Sequence, residues 1–201
     1  MLTILKTNTK QKNNHFLNSP FGKIKLFFID EIIIVPKKIK IIKKNKIIFF
    51  ESELGILSLK FIDNINFFIK NNNLLINFNL KTNKKNIINL YNKLIKIKIK
   101  GVLQNFKIKL ILKGVGFKSL IEGNNLILKL GFSHDIVILI PENIQIINQP
   151  GLLIFHSMDY IFLSQFVHYI KNYKKPEPYK GKGFLLKNEI ILKKEGKKGK
   201  K

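Results

Sequence analysis

The chain has 201 residues, and its 37 basic and 12 acidic side chains give a formal net charge of +25. Every basic residue is a lysine and cysteine is absent, which excludes disulfides and thiolate chemistry. A charge imbalance of this size also excludes the near-neutral surface of a generic enzyme. Because 45% of the residues are hydrophobic, the chain has too much apolar surface for a disordered basic tail, and we expect a folded core.

The composition is biased toward residues with AT-rich codons. The 36 Ile, 37 Lys and 23 Asn residues fill 96 of the 201 positions, and Ala, Arg and Trp do not occur. This bias favours synthesis from the genome of an organelle or of an AT-rich bacterium. No apolar run reaches the roughly 18 residues that a membrane helix needs, and the start lacks the apolar core of a secretory signal. We therefore expect a soluble chain with no membrane partner. Binding to an anionic membrane surface is a weak alternative, because the helical pattern at 158–173 has only Lys171 for a basic face.

Residues 1–30 begin with a polar stretch, and we expect them to be a flexible N-terminal extension. From Lys23 onward, short apolar segments alternate with Asn, Gly, Lys or Pro, which is typical of antiparallel strands joined by tight turns. Asn71, Asn72 and Asn73 favour a turn, since Asn tolerates a positive φ. The strand-like segments of the first half are residues 24–28, 32–35, 39–42, 47–50, 56–61, 65–69 and 74–80.

Between Thr82 and Lys100 the apolar period lengthens to that of a helix, which predicts one amphipathic helix there. Asn83 is its candidate N-cap, and Gly101 is expected to end it. The expected apolar face consists of Ile87, Leu90, Tyr91, Leu94 and Ile97.

After Gly101 the same order of elements begins again. A second helical pattern is expected to end at Lys175, before Pro176, and Asp159 stands where the first turn of a helix favours an acid. The expected apolar face of this helix is Phe162, Phe166, Tyr169, Ile170 and Tyr173. The strand-like segments before it are residues 108–112, 117–121, 126–130, 136–140, 144–147 and 152–155.

An offset of 79 residues superposes the two halves. It places Ile41 on Leu120, Ile48 on Ile127 and Leu59 on Ile138. We therefore predict an α+β fold of two tandem similar domains, each a small, mostly antiparallel sheet with one helix packed on a face. The expected domains are residues 31–101 and 102–190, followed by a basic C-terminal tail at 191–201.

A basic folded chain could also be an RNA-modifying or RNA-processing enzyme, which would need a set of catalytic groups. Ser133, His134 and Asp135 are the residue types of a hydrolytic triad, but direct neighbours cannot align as nucleophile, base and orienting acid. Glu51 and Glu53 fit a hairpin end better than an acid–base pair. The four histidines lack metal-ligand spacing, and no phosphate-binding glycine motif is present. We predict no enzyme, no metal and no cofactor.

The chain from Lys171 to Lys201 is rich in lysine and contains only three glutamates, and within it residues 174–183 combine lysines with two prolines and two glycines. Pro176 and Pro178 restrict this segment to an extended backbone. Gly181 and Gly183 leave room for a phosphate backbone to approach, and Tyr179 could stack on a base while flanking lysines neutralise phosphates. The segment therefore predicts an RNA-docking loop, with a solvated polar tail as the alternative. Lysine lacks the planar fork of arginine, so shape and backbone recognition are expected rather than base reading.

Residues 174–183, Lys-Lys-Pro-Glu-Pro-Tyr-Lys-Gly-Lys-Gly, closely resemble the signature of the large-subunit ribosomal protein six family. Residues 113–117, Lys-Gly-Val-Gly-Phe, are similar to the family's Gly-Val-Gly-Tyr strand, and residues 130–134, Leu-Gly-Phe-Ser-His, to its Leu-Gly-Phe-Ser-His turn. The resemblance is strong over about 101–195, weak over 31–100 and absent over 1–30.

This resemblance implies tandem α+β domains and a structural role in the large ribosomal subunit, near the sarcin–ricin loop and the base of the factor-recruiting stalk. It implies contacts with large-subunit ribosomal RNA and neighbouring large-subunit proteins, and no small-molecule substrate. The coding bias alone favours a mitochondrial ribosome, with a plastid as the alternative. Carried over position by position, the rRNA-binding residues are Lys174, Lys175, Pro176, Tyr179, Lys180, Gly181, Lys182 and Gly183. Lys174 and Lys175 replace arginines of the family pattern, which weakens any two-pronged grip there.

Overall fold

The computed structural model describes residues 31–62, 65–70, 73–78 and 84–196. The predicted N-terminal extension, the strand-like segment 24–28, the N-cap Asn83 and most of the Asn71–Asn73 turn lie outside the described residues. Within them, each predicted strand is present, with both ends within two residues of the expected position.

The first unit contains two small antiparallel sheets and one long helix. The sheets have the strand orders β1-β6-β5 and β2-β3-β4. The helix, the two sheets and their facing side chains enclose one apolar core, which includes Phe50, Leu74 and Ile95. Its elements are β1 (Glu31–Ile34), β2 (Lys40–Lys44), β3 (Ile47–Ser52), β4 (Gly55–Lys60), β5 (Ile65–Lys70), β6 (Asn73–Phe78) and α1 (Lys84–Leu103).

The second unit repeats this plan. Strands β7, β12 and β11 pair in the order of β1, β6 and β5, and β8, β9 and β10 pair in the order of β2, β3 and β4. The unit adds one strand, β13, on the free side of β7, and this strand was not predicted. Its elements are β7 (Phe106–Lys113), β8 (Lys118–Glu122), β9 (Asn125–Lys129), β10 (Ile136–Leu139), β11 (Gln145–Gln149), β12 (Leu152–Ser157), α2 (Tyr160–Tyr173) and β13 (Gly183–Leu186). The predicted α+β fold with two similar halves is confirmed.

The predicted offset of 79 residues is wrong by one for the first hairpin of each unit. The two-residue turns begin at Asn45, with φ of 51°, and at Gly123, with φ of 57°, so the offset there is 78. It aligns Ile48 with Leu126, and both are fully buried. A shift of one residue would turn every side chain of a strand to the other face. At the next strand of each unit the offset of 79 holds, because Leu59 pairs with Ile48 and Ile138 pairs with Leu126.

Each predicted helix face is confirmed in part, since Tyr91 and Ile170 are buried, but the buried faces are rotated from the predicted ones. In α1 the buried side chains include Tyr91, Ile95, Ile99 and Val102, whereas Leu90 is 53% exposed. In α2 they are Leu163, Val167 and Ile170, and the predicted Phe162 and Tyr169 are exposed. Apolar residues occur around most of each helix, so the sheet that the helix covers selects the buried face.

Helix α1 also continues past the predicted stop at Gly101 to Leu103, and α2 ends at Tyr173, two residues before the predicted Lys175. Gly101 is needed because a side chain there would meet the carbonyl oxygen of Met158, at the start of the other unit's helix. The glycine therefore allows the two units to touch, and does not end the helix.

An ion pair joins the two units beside this contact. Lys98 of α1 is nearly buried, and its Nζ lies 2.7 Å from Oδ2 of Asp159. Asp159 is the N-cap of α2, where Oδ1 accepts a hydrogen bond from the Ile161 backbone N–H at 3.1 Å. The predicted acid at this position thus caps one unit's helix and neutralises a lysine of the other.

We expect Asp159→Asn to lower the free energy of unfolding by about 2 kcal/mol, because an asparagine still caps α2 but leaves the Lys98 ammonium without a carboxylate. The matched control is Asp135→Asn. The Asp135 carboxylate lies 3.2 Å from Nζ of Lys129 at an exposed site, so this replacement should lower the free energy of unfolding by less than about 0.5 kcal/mol. Urea unfolding of both variants measures the difference. Equal losses would contradict the role of the ion pair.

Candidate nucleic-acid interface

The segment after α2 folds back on itself and is closed by its own main chain. The Glu177 N–H donates to the Lys182 carbonyl at 2.9 Å, and the Gly181 N–H donates to the Glu177 carbonyl at 2.9 Å. At the base, the Phe184 N–H donates to the Lys174 carbonyl at 2.9 Å. We call residues 174–183 the basic loop. Its base continues directly into β13, so the loop is anchored at both ends by regular structure.

The two glycines of the basic loop shape it. Both are buried, with φ of 68° at Gly181 and 131° at Gly183, conformations that a residue with a side chain rarely adopts. A Cβ at Gly183 would lie 2.6 Å from the Lys175 carbonyl oxygen. The Gly181 amide already donates to Glu177 inside the loop, so it is not free for a phosphate, whereas the sequence had suggested that a phosphate could approach it.

The side chains of the basic loop divide into exposed and internal ones. Tyr179, at the turn, is 53% exposed, and Lys175 and Lys180 are also exposed. Lys182 and Pro176 are half-buried. The loop thus displays an aromatic ring with Lys180 directly after it and the exposed Glu177 two residues before it, on a backbone that is held by hydrogen bonds.

Lys174 is half-buried as well. Its Nζ lies 4.7 Å from the ring centroid of Phe132 and 5.9 Å from that of Phe117. These cation–π contacts hold the first residue of the basic loop against two other loops of the second unit. The three sequence segments that carry the family resemblance are therefore neighbours in space.

Residues 114–117 form the turn between β7 and β8, not part of a strand as the resemblance implied. A side chain at Gly114 would overlap the ring of Phe117, which fixes the shape of this turn. At its tip Val115 is 90% exposed, and across the cluster Phe132 is 44% exposed. Both are apolar groups beside the basic loop that the sequence reasoning did not assign to the site. The glycines next to Val115 and Phe132 in the sequence could have indicated that these side chains lie in exposed turns near the site.

The start of the predicted tail packs against the basic loop. The Lys194 N–H donates to the Pro178 carbonyl at 3.0 Å, and Cδ1 of Ile191 lies 3.8 Å from where a Cβ of Gly181 would stand. Residues 191–194 therefore form a second layer behind the loop, and they add Lys193 and Lys194 to its positive charge.

Glu189 holds the chain after β13 in place. Both of its carboxylate oxygens lie 2.6 Å from Nζ of Lys171 in α2, and the Leu186 N–H donates to Oε2 at 3.1 Å. The hydrogen bond from Lys171 lowers the pKa of Glu189 below its ordinary value of 4.5, against the opposing effect of burial. The Glu189 carboxylate is already paired with Lys171, so its negative charge does not neutralise the lysines of the basic loop.

A lowered pKa in the folded state means that the ionised Glu189 stabilises the fold above the unfolded-state pKa, and that this contribution is lost as the pH falls through the folded-state pKa. We expect Glu189→Gln to reduce the free energy of unfolding at neutral pH. The deficit should shrink as the pH falls below 4.5. Urea unfolding over a pH series measures it. The exposed Glu195→Gln is the control, and a deficit that does not depend on pH would contradict the assignment.

The residues considered for catalysis do not assemble a site. Ser133 and His134 are exposed in the turn before β10, and Glu51 and Glu53 lie at the end of the β3–β4 hairpin beside a shallow depression. The described parts of the chain contain no cluster of side chains suited to a metal ion. None of the helices described is long and apolar enough to cross a membrane.

No family model matches the chain. The chain is 37% identical over 174 residues to large ribosomal subunit protein uL6 of Karelsulcia muelleri, an alignment that covers 84% of the chain and 96% of that protein. It is 33% identical over 170 residues to uL6 of Mycoplasma genitalium, covering 83% and 92% of the two chains. It is 42% identical over 113 residues to uL6c of Trieres chinensis, covering 56% and 63%. These proteins are named as ribosomal proteins and not as enzymes, in agreement with the sequence-based prediction. The chain belongs to the uL6 family of large ribosomal subunit proteins.

Proposed function

We propose that the chain is a structural constituent of a large ribosomal subunit that binds ribosomal RNA through the basic loop and supports translation. One observation carries the RNA contact: the loop is closed by main-chain hydrogen bonds and exposes Tyr179 together with Lys175 and Lys180. A loop that is already ordered loses little conformational entropy on binding, so more of the electrostatic free energy remains as affinity.

The eight residues expected to bind rRNA take two roles in this proposal. Lys175, Tyr179 and Lys180 contact the RNA through exposed side chains, and the half-buried Lys182 joins them because, unlike Lys174, it packs on no aromatic ring among the described residues. Lys174, Pro176, Gly181 and Gly183 hold the loop in shape. Val115 and Phe132 extend the surface with apolar groups that suit sugars or unstacked bases. The RNA is recognised by its shape and phosphates, since ammonium groups are point charges.

The family resemblance supports a position in the subunit. We propose contacts near the sarcin–ricin loop and the stalk base, made by the second domain, residues 102–190, with the tail from residue 191 behind it. The first domain, residues 31–101, faces neighbouring ribosomal proteins. Its exposed apolar side chains, among them Ile56 and Leu54, suit a protein neighbour better than a phosphate backbone.

The ribosome in question is proposed to be mitochondrial, with a plastid ribosome as the alternative, on the coding bias alone. The experiment is mass spectrometry of large subunits from gradient-purified ribosomes of each compartment, combined with crosslinking of the chain to RNA. We expect the chain in large subunits, with crosslinks from residues 174–183 to large-subunit RNA. Recovery only in small subunits or in the free protein pool would overturn the function, and crosslinks confined to the first domain would overturn the proposed contact.

A further inference from the structure

Met158 of the second unit packs on two glycines of the first. It lies in the short connection between β12 and α2. A Cβ added to Gly55, at the start of β4, would lie 2.7 Å from Cε and 3.1 Å from Sδ of Met158. A Cβ added to Gly101, in α1, would overlap the Met158 carbonyl oxygen. We call the surface formed by Gly55 and Gly101 the glycine notch, since only the lack of side chains there lets Met158 approach so closely.

Two further links between the units lie beside the glycine notch. Nζ of Lys98 in α1 is 2.7 Å from Oδ2 of Asp159, the residue after Met158. The chain itself crosses from α1 to β7 through Gln104 and Asn105. A connection of two residues limits how far the units can separate but leaves their angle free, so the contacts of Met158 and Asp159 fix the orientation.

Met158 also carries the one sulfur atom of the chain apart from that of Met1, because cysteine is absent and methionine occurs twice. Its side chain is half-buried at the edge of the glycine notch. A small oxidant can therefore reach Met158 without prior unfolding of either unit, and exposure is what makes a methionine susceptible to oxidation.

We propose that Met158 is an oxidation-sensitive latch between the two units, which a hydroperoxide opens by converting the thioether to the sulfoxide. The sulfur lone pair attacks one oxygen of the hydroperoxide, an S–O bond forms and the O–O bond breaks. The sulfur loses two electrons to the peroxide. The proton of the attacked oxygen passes to the leaving oxygen, so hydrogen peroxide yields water.

The sulfoxide does not suit the glycine notch. Oxidation turns an apolar side chain into a polar one that needs a hydrogen-bond donor. Beside the notch, the Ser52 hydroxyl already donates to the Val102 carbonyl at 2.6 Å, and the Leu54 N–H donates to Ser52 Oγ at 3.2 Å. Burying the sulfoxide oxygen without a donor costs free energy, so the oxidised side chain leaves the notch.

The latch determines whether the two units act as one rigid body. The basic loop belongs to the second unit, and the exposed apolar side chains proposed to face protein neighbours belong to the first. While the latch is closed, both surfaces can be bound without an additional loss of freedom between the units. This consequence rests on the proposed function, whereas the latch itself depends only on contacts within the chain.

A distance measurement on the isolated full chain tests the latch. Because cysteine is absent, Ser58→Cys and Glu122→Cys place one spin label on each unit, at exposed positions of β4 and β8. Hydrogen peroxide is then added until mass spectrometry shows one oxygen on Met158. We expect the distribution of distances between the labels to broaden by about twofold, because the released units reorient about their connection.

The matched control is the same labelled chain with norleucine in place of both methionines, which keeps the length of the side chain but has no sulfur to oxidise. Its distribution should be unchanged by peroxide. Met158→Gln introduces a polar side chain of similar length and should give the broad distribution without any oxidant. A distribution that stays narrow after Met158 has been oxidised would overturn the proposal, and so would equal broadening of the norleucine chain. No RNA is present in this experiment, so either of these results would leave the proposed RNA contact standing.

Discussion

Replacing Lys180 and Lys182 with glutamate is expected to prevent stable incorporation of the chain into large ribosomal subunits. Each replacement removes a cation from the basic loop and adds a charge that repels phosphate. In a purified system, affinity for large-subunit RNA should fall by about 100-fold at physiological salt, and the slope of log affinity against log salt should become shallower by about 1.5. Neither lysine forms an ion pair within the described part of the chain, so the fold should be retained.

The matched control for this double variant is Lys37→Glu with Lys38→Glu. Both lysines are exposed in the first unit, and the change in net charge is the same. If the total charge of the chain governs binding, both double variants will lose affinity equally, which would contradict a specific role for the basic loop. Retention of Lys180→Glu/Lys182→Glu in salt-washed subunits at the normal level would contradict it as well.

Gly183→Ala is expected to be the most destabilising single methyl addition in the basic loop. The new Cβ would lie 2.6 Å and 2.8 Å from the carbonyl oxygens of Lys175 and Lys174, at a φ of 131°. Those carbonyls belong to the backbone at the base of the loop, so relief requires Phe184 to move out of the core, where it is fully buried. We expect a loss of about 3 kcal/mol in the free energy of unfolding.

Gly116→Ala measures the cost of the unfavourable backbone conformation without the cost of a steric clash. Gly116 also has a positive φ, of 78°, but its added Cβ would meet no atom within 4 Å. It should therefore show backbone strain alone, about 1 kcal/mol. Thermal unfolding and RNA binding of both variants provide the comparison. Similar losses at the two positions would mean that the contact at the loop base does not matter, and a stable Gly183→Ala protein that binds RNA normally would show that the loop shape is not required.

The order of the strands could be predicted from the chain alone. Each strand is a short apolar segment bounded by Asn, Gly, Lys or Pro, and both the period of two and the turn residues are local properties that do not depend on the rest of the fold. The repetition of that order also predicted two similar units. The lysines and Tyr179 of residues 174–183 could be named as candidate contacts for the same reason, since residue types and spacing are visible without coordinates.

Other features were decided by contacts between distant residues. Strand β13 has a partner, β7, that ends seventy residues earlier, and the cation–π contacts of Lys174 join segments that are more than forty residues apart. Gly101 resembles a helix stop until the neighbouring Met158 shows why a side chain is excluded there. The buried faces of α1 and α2 depend on which sheet each helix covers. These choices depend on the packing of surfaces that come together only when the chain folds, so local propensity carries no signal for them.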